Sequence, residues 1–172
     1  EFNTKINQKS FLKDWSNLKD THDFYPLLNK YKVERLHALE ISEGLYTEKV
    51  ANKQINLLLK NVVKLKIPIM IFVSSGGVIQ IFTGYIRNVK TIGEWLNILD
   101  KKFNLHIKEA EIEHSWVVKK PTNDGIVTSY ELFDQDRNPI VSIFGKRKPG
   151  NPELASWRKV INDISQTELE YD

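Results

Sequence analysis

His22 stands at the start of a helical pattern, and Lys30, Lys32 and Arg35 follow it; together they pair a metal-ligating side chain with nearby cations. Asp20 or Thr21 can cap that helix, with Asp23 near the third helical position. Phe24, Leu27, Leu28 and Tyr31 recur at offsets of three, four and seven and so form one apolar face. On the wheel His22 falls on the opposite side, near Tyr25, Pro26 and Asn29. The positive end of a helix disfavours a charged imidazole, and the neutral ring is the form that ligates metals. A neutral imidazole off the core face, with a basic cluster about three turns away, could bind a metal whose own ligand carries anionic groups. The same residues also read as an exposed helix-start histidine with ordinary surface lysines.

Two further basic positions stand out. Over residues 112–120, strand alternation puts Ile112, His114, Trp116, Val118 and Lys120 on one face, and Val117 and Lys119 on the other. A lysine that continues an apolar face can end at the mouth of a pocket, or it can snorkel to water from a strand end. In the run FGKRKPG at 144–150, Arg147 shares a side with Val141 and Ile143 if the strand reaches that far. A guanidinium suits a carboxylate better than an ammonium does. The alternatives there are a basic loop before a helix, or contact with phosphate or nucleic acid. The last lacks an aromatic platform or a recognised motif beside it.

Other chemistries find little support. His37, His106 and His114 have no partner at metal-site spacing and read as structural or surface residues, with His106 facing outward from a strand. Met70 lies in a buried-strand sequence and reads as core. There is no serine-centred nucleophile elbow and no glycine-rich phosphate loop. Carboxylates are scattered and suggest no general acid–base pair.

The elements that must position these residues follow from periodicity. Helices are expected over 10–18 (capped by Ser10), 20–31, 33–41, 52–65 (capped by Asn52), 91–99 (holding Trp95) and from Asn151 onward, with Pro152 at the first helical position. Strands are expected over 45–50, 69–74, 78–83, 103–107, 112–120, 126–133 and 140–146. Ser75-Gly76-Gly77 makes the first hairpin turn; turns at 123–125 and 135–138 join the last three strands as a meander. The predicted architecture is α+β: N-terminal helices, an antiparallel sheet, and a C-terminal helix, in one domain over 1–172 with frayed ends at 1–8 and 166–172.

Composition sets outer limits. The chain has 172 residues, 41% apolar and 27% charged, enough for a single domain with a real core. A net charge of +3 is too mild to imply nucleic acid. No apolar run approaches the ~20 residues of a membrane helix, so membrane insertion is not expected. The absence of cysteine removes disulfides, zinc fingers, thiolate ligands and cysteine nucleophiles, and is compatible with the cytoplasm. The chain opens on Glu1-Phe2 and its only methionine is Met70, so its first residue is not a retained initiator methionine; Glu1-Phe2 could be a cloning remnant and the chain a piece of something longer.

Taken together, these motifs resemble the bacterial haemin-degrading and haem-trafficking family (HemS/ChuS/HmuS). The resemblance rests on Trp15, Asp20-Thr21-His22-Asp23-Phe24 with Leu28, Arg35 with Ala38-Leu39, and Pro68-Ile69-Met70-Ile71-Phe72-Val73. It continues through Ile79-Gln80-Ile81-Phe82-Thr83-Gly84, Trp95-Leu96-Asn97-Ile98-Leu99-Asp100 and Phe103-Asn104-Leu105-His106. It closes with Trp116-Val117-Val118-Lys119-Lys120-Pro121-Thr122, Glu131-Leu132-Phe133-Asp134, and residues 144–150 with Trp157-Arg158. Members usually have two similar halves, and this chain resembles the second.

The resemblance implies non-covalent haem b, with His22 as the axial iron ligand and Arg35, Lys120 and Arg147 on the propionates. Phe144 lies near the same end of the pocket, where some relatives carry a tyrosine. It implies a cytoplasmic protein of haem-iron utilisation that degrades haem and releases iron using an external reductant. The alternative is a non-catalytic carrier handing haem to a separate haem oxygenase, or receiving it from an importer. In two-half relatives an arginine of the first half covers the distal face. Here a missing half, a second copy in a homodimer or another partner would take that place, or the distal side is open.

Overall fold

The computed structural model describes residues 1–75 and 77–166. Gly76, in the middle of the expected hairpin turn, and the acidic tail from residue 167 lie outside the described residues. The elements in order are α1 (Gln8–Ser16), α2 (Phe24–Tyr31), α3 (Arg35–Ile41), β1 (Thr47–Val50) and α4 (Gln54–Lys64). They continue with β2 (Ile69–Ser75), β3 (Val78–Gly84), β4 (Val89–Ile92), β5 (Trp95–Asp100) and β6 (Phe103–Lys108). The last are β7 (His114–Thr122), β8 (Gly125–Phe133), β9 (Pro139–Gly145) and α5 (Ala155–Gln166).

The fold is α+β, as expected. Strands β7, β8 and β9 form the antiparallel meander, and the β2–β3 hairpin adds beside β9, giving a six-stranded sheet in the order β1-β7-β8-β9-β2-β3. A second, three-stranded sheet, β4-β5-β6, stands where a helix was expected over 91–99. The reason is a period of two. Leu96 and Ile98 point into the core, while Trp95 and Asn97 point away, and Gly93 takes a positive φ of +60° between β4 and β5.

Register divides the core into two clusters on opposite faces of the large sheet. On one face Val117, Tyr130, Leu132, Val141, Ile143, Ile69 and Ile71 pack against α4, α5 and the inner side of the small sheet. On the other, Trp116, Val118 and Phe133 pack against α1, α2 and α3. Ile112 precedes β7 and belongs to the first cluster, so it does not share the face of Trp116 and Lys120. Helix α5 approaches β9 closely because Gly145 has no side chain; a Cβ there would lie 2.7 Å from Trp157 Cγ.

Several caps differ from expectation. Asn7 caps α1, accepting the Ser10 N–H, so Ser10 lies within the helix. Asn52 does not cap α4; its amide donates to the Ile112 and Glu113 carbonyls and accepts the Ser115 hydroxyl. Helix α5 begins at Ala155, not at Pro152, because Glu153 is used in a tertiary contact: its carboxylate accepts from the Thr128 N–H and hydroxyl of β8.

Helices α1–α3 cover the half of their sheet face nearest β1 and β7. Across β8, β9, β2 and β3 the pairing puts Ser129 and Glu131, Phe144 and Ser142, Met70 and Phe72, and Ile79 and Ile81 on that same face. Ile79 and Ile81 are exposed. Among the described residues no helix is long and apolar enough to cross a membrane.

Candidate functional site

His22 sits in a single 3-10 turn, Thr21–Asp23, that leads into α2. The turn is closed by a capping box. Asp20 accepts the His22 backbone N–H at 2.8 Å, and the Asp20 N–H donates to Asp23 Oδ2 at 3.1 Å. The ring is 90% exposed, and its Nδ1 lies 2.6 Å from Asp20 Oδ1. A carboxylate accepts and does not donate, so Nδ1 carries a proton, and in the neutral ring Nε2, facing away from Asp20, is the nitrogen with the lone pair. The His22 backbone N–H, and then the ring, hold the Asp20 carboxyl below its ordinary value, and the Arg147 charge adds to this.

Arg35 and Lys120 meet on a residue that the sequence reading passed over. Arg35 Nε donates to Glu131 Oε1 at 2.8 Å, and Lys120 Nζ donates to Oε2 at 3.5 Å. The Ser129 hydroxyl donates to Oε2 at 2.7 Å. Glu131 and Lys120 are almost wholly buried, with side chains 1% and 3% exposed. Lys120 Nζ stands 4.6 Å from the centre of the Phe24 ring and 5.6 Å from that of Phe144, and the Arg35 guanidinium lies 5.1 Å from the Phe24 ring. Lys120 thus ends inside a cluster, not snorkelling to water. Phe144 in turn meets Phe72 edge to face at 5.5 Å.

The electrostatics follow from that burial. Desolvation pushes the Lys120 ammonium down to about 8; the Glu131 carboxylate opposes the fall and the like charge of Arg35 adds to it. Burial also works to raise the Glu131 carboxyl, but the Arg35 and Lys120 cations outweigh it and hold the group at about 2.

Arg147 is placed differently. Strand β9 ends at Gly145, so Arg147 does not share the side of Val141 and Ile143. It lies in the following loop, where Nη1 donates to Asp124 Oδ2 at 2.8 Å and to the Asn151 carbonyl at 3.2 Å. Asn123, beside Asp124, donates its N–H to the Lys19 carbonyl at 2.8 Å, which ties this turn to the segment entering the His22 turn. Lys30 is drawn away from the site by Asp14 Oδ2 at 2.7 Å.

The remaining candidates fall elsewhere. His106 Nδ1 contacts Asn97 Oδ1 at 2.6 Å on the outer side of the small sheet, and His37 faces Glu40. Met70 is half-buried on the open sheet face and not in either core cluster, because Ile69 and Ile71 take the inward positions of β2. Two surface cavities lie apart from this face. One of about 380 Å³ is lined by Ile92, Trp95, Asn97 and His106, and one of about 400 Å³ lies between residues 43–48 and Val117 and Lys119. Among the described residues no group of three or more His, Cys, Asp or Glu side chains could hold a bare metal ion. A metal at His22 would have to bring its remaining ligands with it.

Residues 32–164 match the model of the haemin-degrading HemS.ChuX domain. The chain belongs to this family. Arg35, Lys120, Glu131, Phe144 and Arg147 fall within the matched span, and His22 precedes it. The hemin transport protein HemS of Yersinia enterocolitica is 35% identical over 156 residues, which cover 91% of this chain and 45% of that protein. Holo-PhuS, a heme-binding protein from Pseudomonas aeruginosa, superposes with a TM-score of 0.92 at 40% identity, covering 95% of this chain and 48% of that one. ChuS, an E. coli heme oxygenase, superposes with a TM-score of 0.88 at 35% identity, covering 95% and 50%. The chain spans about half the length of these relatives.

Missing from the sequence reading were Asp20 as the partner of the His22 ring, Phe24 as a cation platform, Asp124, and above all Glu131. A signal for the last was present: it is the one charged residue in the strand GIVTSYELF. A lone carboxylate in an otherwise uncharged, buried strand needs a cation.

Proposed function

We propose that this chain is a haem-holding unit of bacterial haem-iron utilisation. His22 ligates the iron through Nε2, and Arg35, Lys120 and Arg147 receive the propionates. The observation that carries the reading is the Lys120 ammonium. It is buried between two aromatic rings, and its hydrogen bond to Glu131 is 3.5 Å long. An ammonium has three donors, and one long contact leaves it short of acceptors. A ligand carboxylate entering beside Arg35 supplies them.

The other needs of haem also have counterparts. Iron in a porphyrin needs only an axial donor from the protein, and the exposed Nε2 of His22 is such a donor, oriented by a carboxylate on the opposite nitrogen. The macrocycle needs an apolar surface, and Phe144, Phe72, Met70, Ile79 and Ile81 offer one on a single sheet face. With Phe at 144 the contact there is by the ring, without a hydroxyl. The chain has no cysteine for covalent attachment, which fits haem b. When bound, haem supplies the oxygen and electron-transfer chemistry; the protein binds it, orients it and sets the polarity around it.

In this reading the protein acts in the cytoplasm, opening the ring and releasing iron with electrons from an external donor. The other half of a longer chain, or a second copy of this one, covers the distal side. A carrier function is the second reading, in which haem passes from an importer to a separate haem oxygenase. It draws on the names of the relatives, one a transport protein and another a heme oxygenase.

Reducing the haem complex without oxygen and then admitting air, with catalase present, tests the choice. Loss of the Soret band with a defined open-chain product supports degradation, whereas loss abolished by catalase supports the carrier. For the site itself, Arg35→Ala and Arg147→Ala should weaken haemin more than its dimethyl ester. Equal losses for the two ligands would remove the propionate assignment.

A further inference from the structure

We propose that Glu131 is the positioning residue of the Arg35–Lys120 pair: it orients the guanidinium and supplies the counter-charge of the ammonium, so that together they take one ligand carboxylate. The identity of that ligand rests on the haem reading above; the role of Glu131 rests on the geometry.

Both oxygens of Glu131 are committed, Oε1 to Arg35 Nε and Oε2 to the Ser129 hydroxyl and Lys120. The carboxylate is therefore locked in one rotamer. Because Glu131 occupies Nε, the terminal nitrogens of Arg35 remain as a planar fork, the geometry that grips a carboxylate. Lys120 is surrounded by Phe24 from α2, Arg35 from α3, Glu131 from β8 and Phe144 from β9. Of these only Arg35 and Glu131 are charged, and Arg35 has the same sign as Lys120. The aromatic faces attract an ammonium but do not take its hydrogen bonds as an anion does. Without Glu131 the ammonium would stand buried beside a guanidinium with no anion in contact, and would shed its proton. The arithmetic of charge is also apt. Two cations and one carboxylate leave a net +1, the complement of one propionate.

A merely structural crosslink would also be buried and bonded, so the test reads the proton as well as the ligand. The full chain and Glu131→Gln are titrated with zinc protoporphyrin IX and with its dimethyl ester between pH 6 and 9. The wild type should prefer the diacid, and the preference should fade as pH rises through about 8. In Glu131→Gln the preference at pH 7 should fall by about tenfold, the scale of one charge-assisted hydrogen bond, and its fading should move to lower pH. A variant with the wild-type preference and pH profile would overturn the proposal.

The lysine is also followed directly, by ¹³Cε NMR of Lys120 without porphyrin. Its titration midpoint should be lower in Glu131→Gln, and an equal midpoint overturns the proposal. A wild type that does not distinguish diacid from diester would defeat the haem reading and leave the NMR comparison to decide on Glu131. If Glu131→Gln does not fold, Ser129→Ala serves. It removes a competing donor from Oε2, so the Lys120 midpoint should rise, and an unchanged midpoint counts against the proposal.

Discussion

Asp20 Oδ1 takes two donors from one residue, the His22 backbone N–H at 2.8 Å and the ring Nδ1 at 2.6 Å. The same atom therefore starts the turn and sets which nitrogen of the imidazole is free. Asp20→Ala should lose both effects: about 1 kcal/mol of stability from the cap and about tenfold to a hundredfold in haemin affinity from the unoriented ring. Asp20→Asn keeps an acceptor and should fall between. Thermal melts and haemin titrations check the two effects separately.

His22→Ala should change the ferric haem spectrum and weaken haemin binding, and added imidazole should restore the wild-type spectrum in part. An unchanged spectrum and affinity would reject His22 as the ligand.

The buried ion cluster predicts a definite pH dependence of stability. Glu131 titrates at about 2 in the fold, below its ordinary 4.5, so its contribution is complete above 4.5 and is lost as pH falls toward 2. At 1.36 kcal/mol per unit the loss is on the order of 3 kcal/mol. Lys120 acts in the opposite sense. Its pKa is lowered from 10.5 to about 8, so between these values the unfolded chain binds the extra proton and stability rises with pH. Urea unfolding across pH should show both slopes. Lys120→Met should abolish the alkaline rise, and a rise that survives that substitution would assign it to another group.

Gly145→Ala puts a Cβ 2.7 Å from Trp157 Cγ and 2.9 Å from its Cβ, so α5 or β9 must shift. The cost should be about 1–3 kcal/mol, as for overpacking generally, read as a lowered Tm. Because Phe144 and Arg147 flank this position, haemin affinity should fall with it.

Much of this molecule was legible in one dimension. The apolar stripe of α2, the β2–β3 pairing, the β7–β8–β9 meander and the alternation that puts Trp116, Val118 and Lys120 on one face are all local periodicities, and the fold reproduces them. The misreadings came where local preference lost to distant contacts. The stretch 91–99 reads as a helix by its composition, yet β6 pairs with β5 and the core takes Leu96 and Ile98, which makes it strand. Asn52 and the Asn151-Pro152 pair were read as helix starts, but Asn52 binds Ser115 on β7, and Glu153, just after Pro152, is held by Thr128 on β8, each far away in sequence.

For the site, the sequence by itself determined the inventory: an imidazole beside a carboxylate two residues back, and cations on a helix and on strand or loop positions. Only the tertiary structure decided which of them act together. Arg35 and Lys120 lie far apart in the chain and are joined by Glu131, which contacts both. Arg147 is held by Asp124, and Lys30 is taken by Asp14. Side-chain type and spacing set what a residue can bind, but a buried charge is stable only with its counter-charge in place. Which residue provides that counter-charge depends on strand register and helix packing, which bring together parts of the chain that no local pattern links.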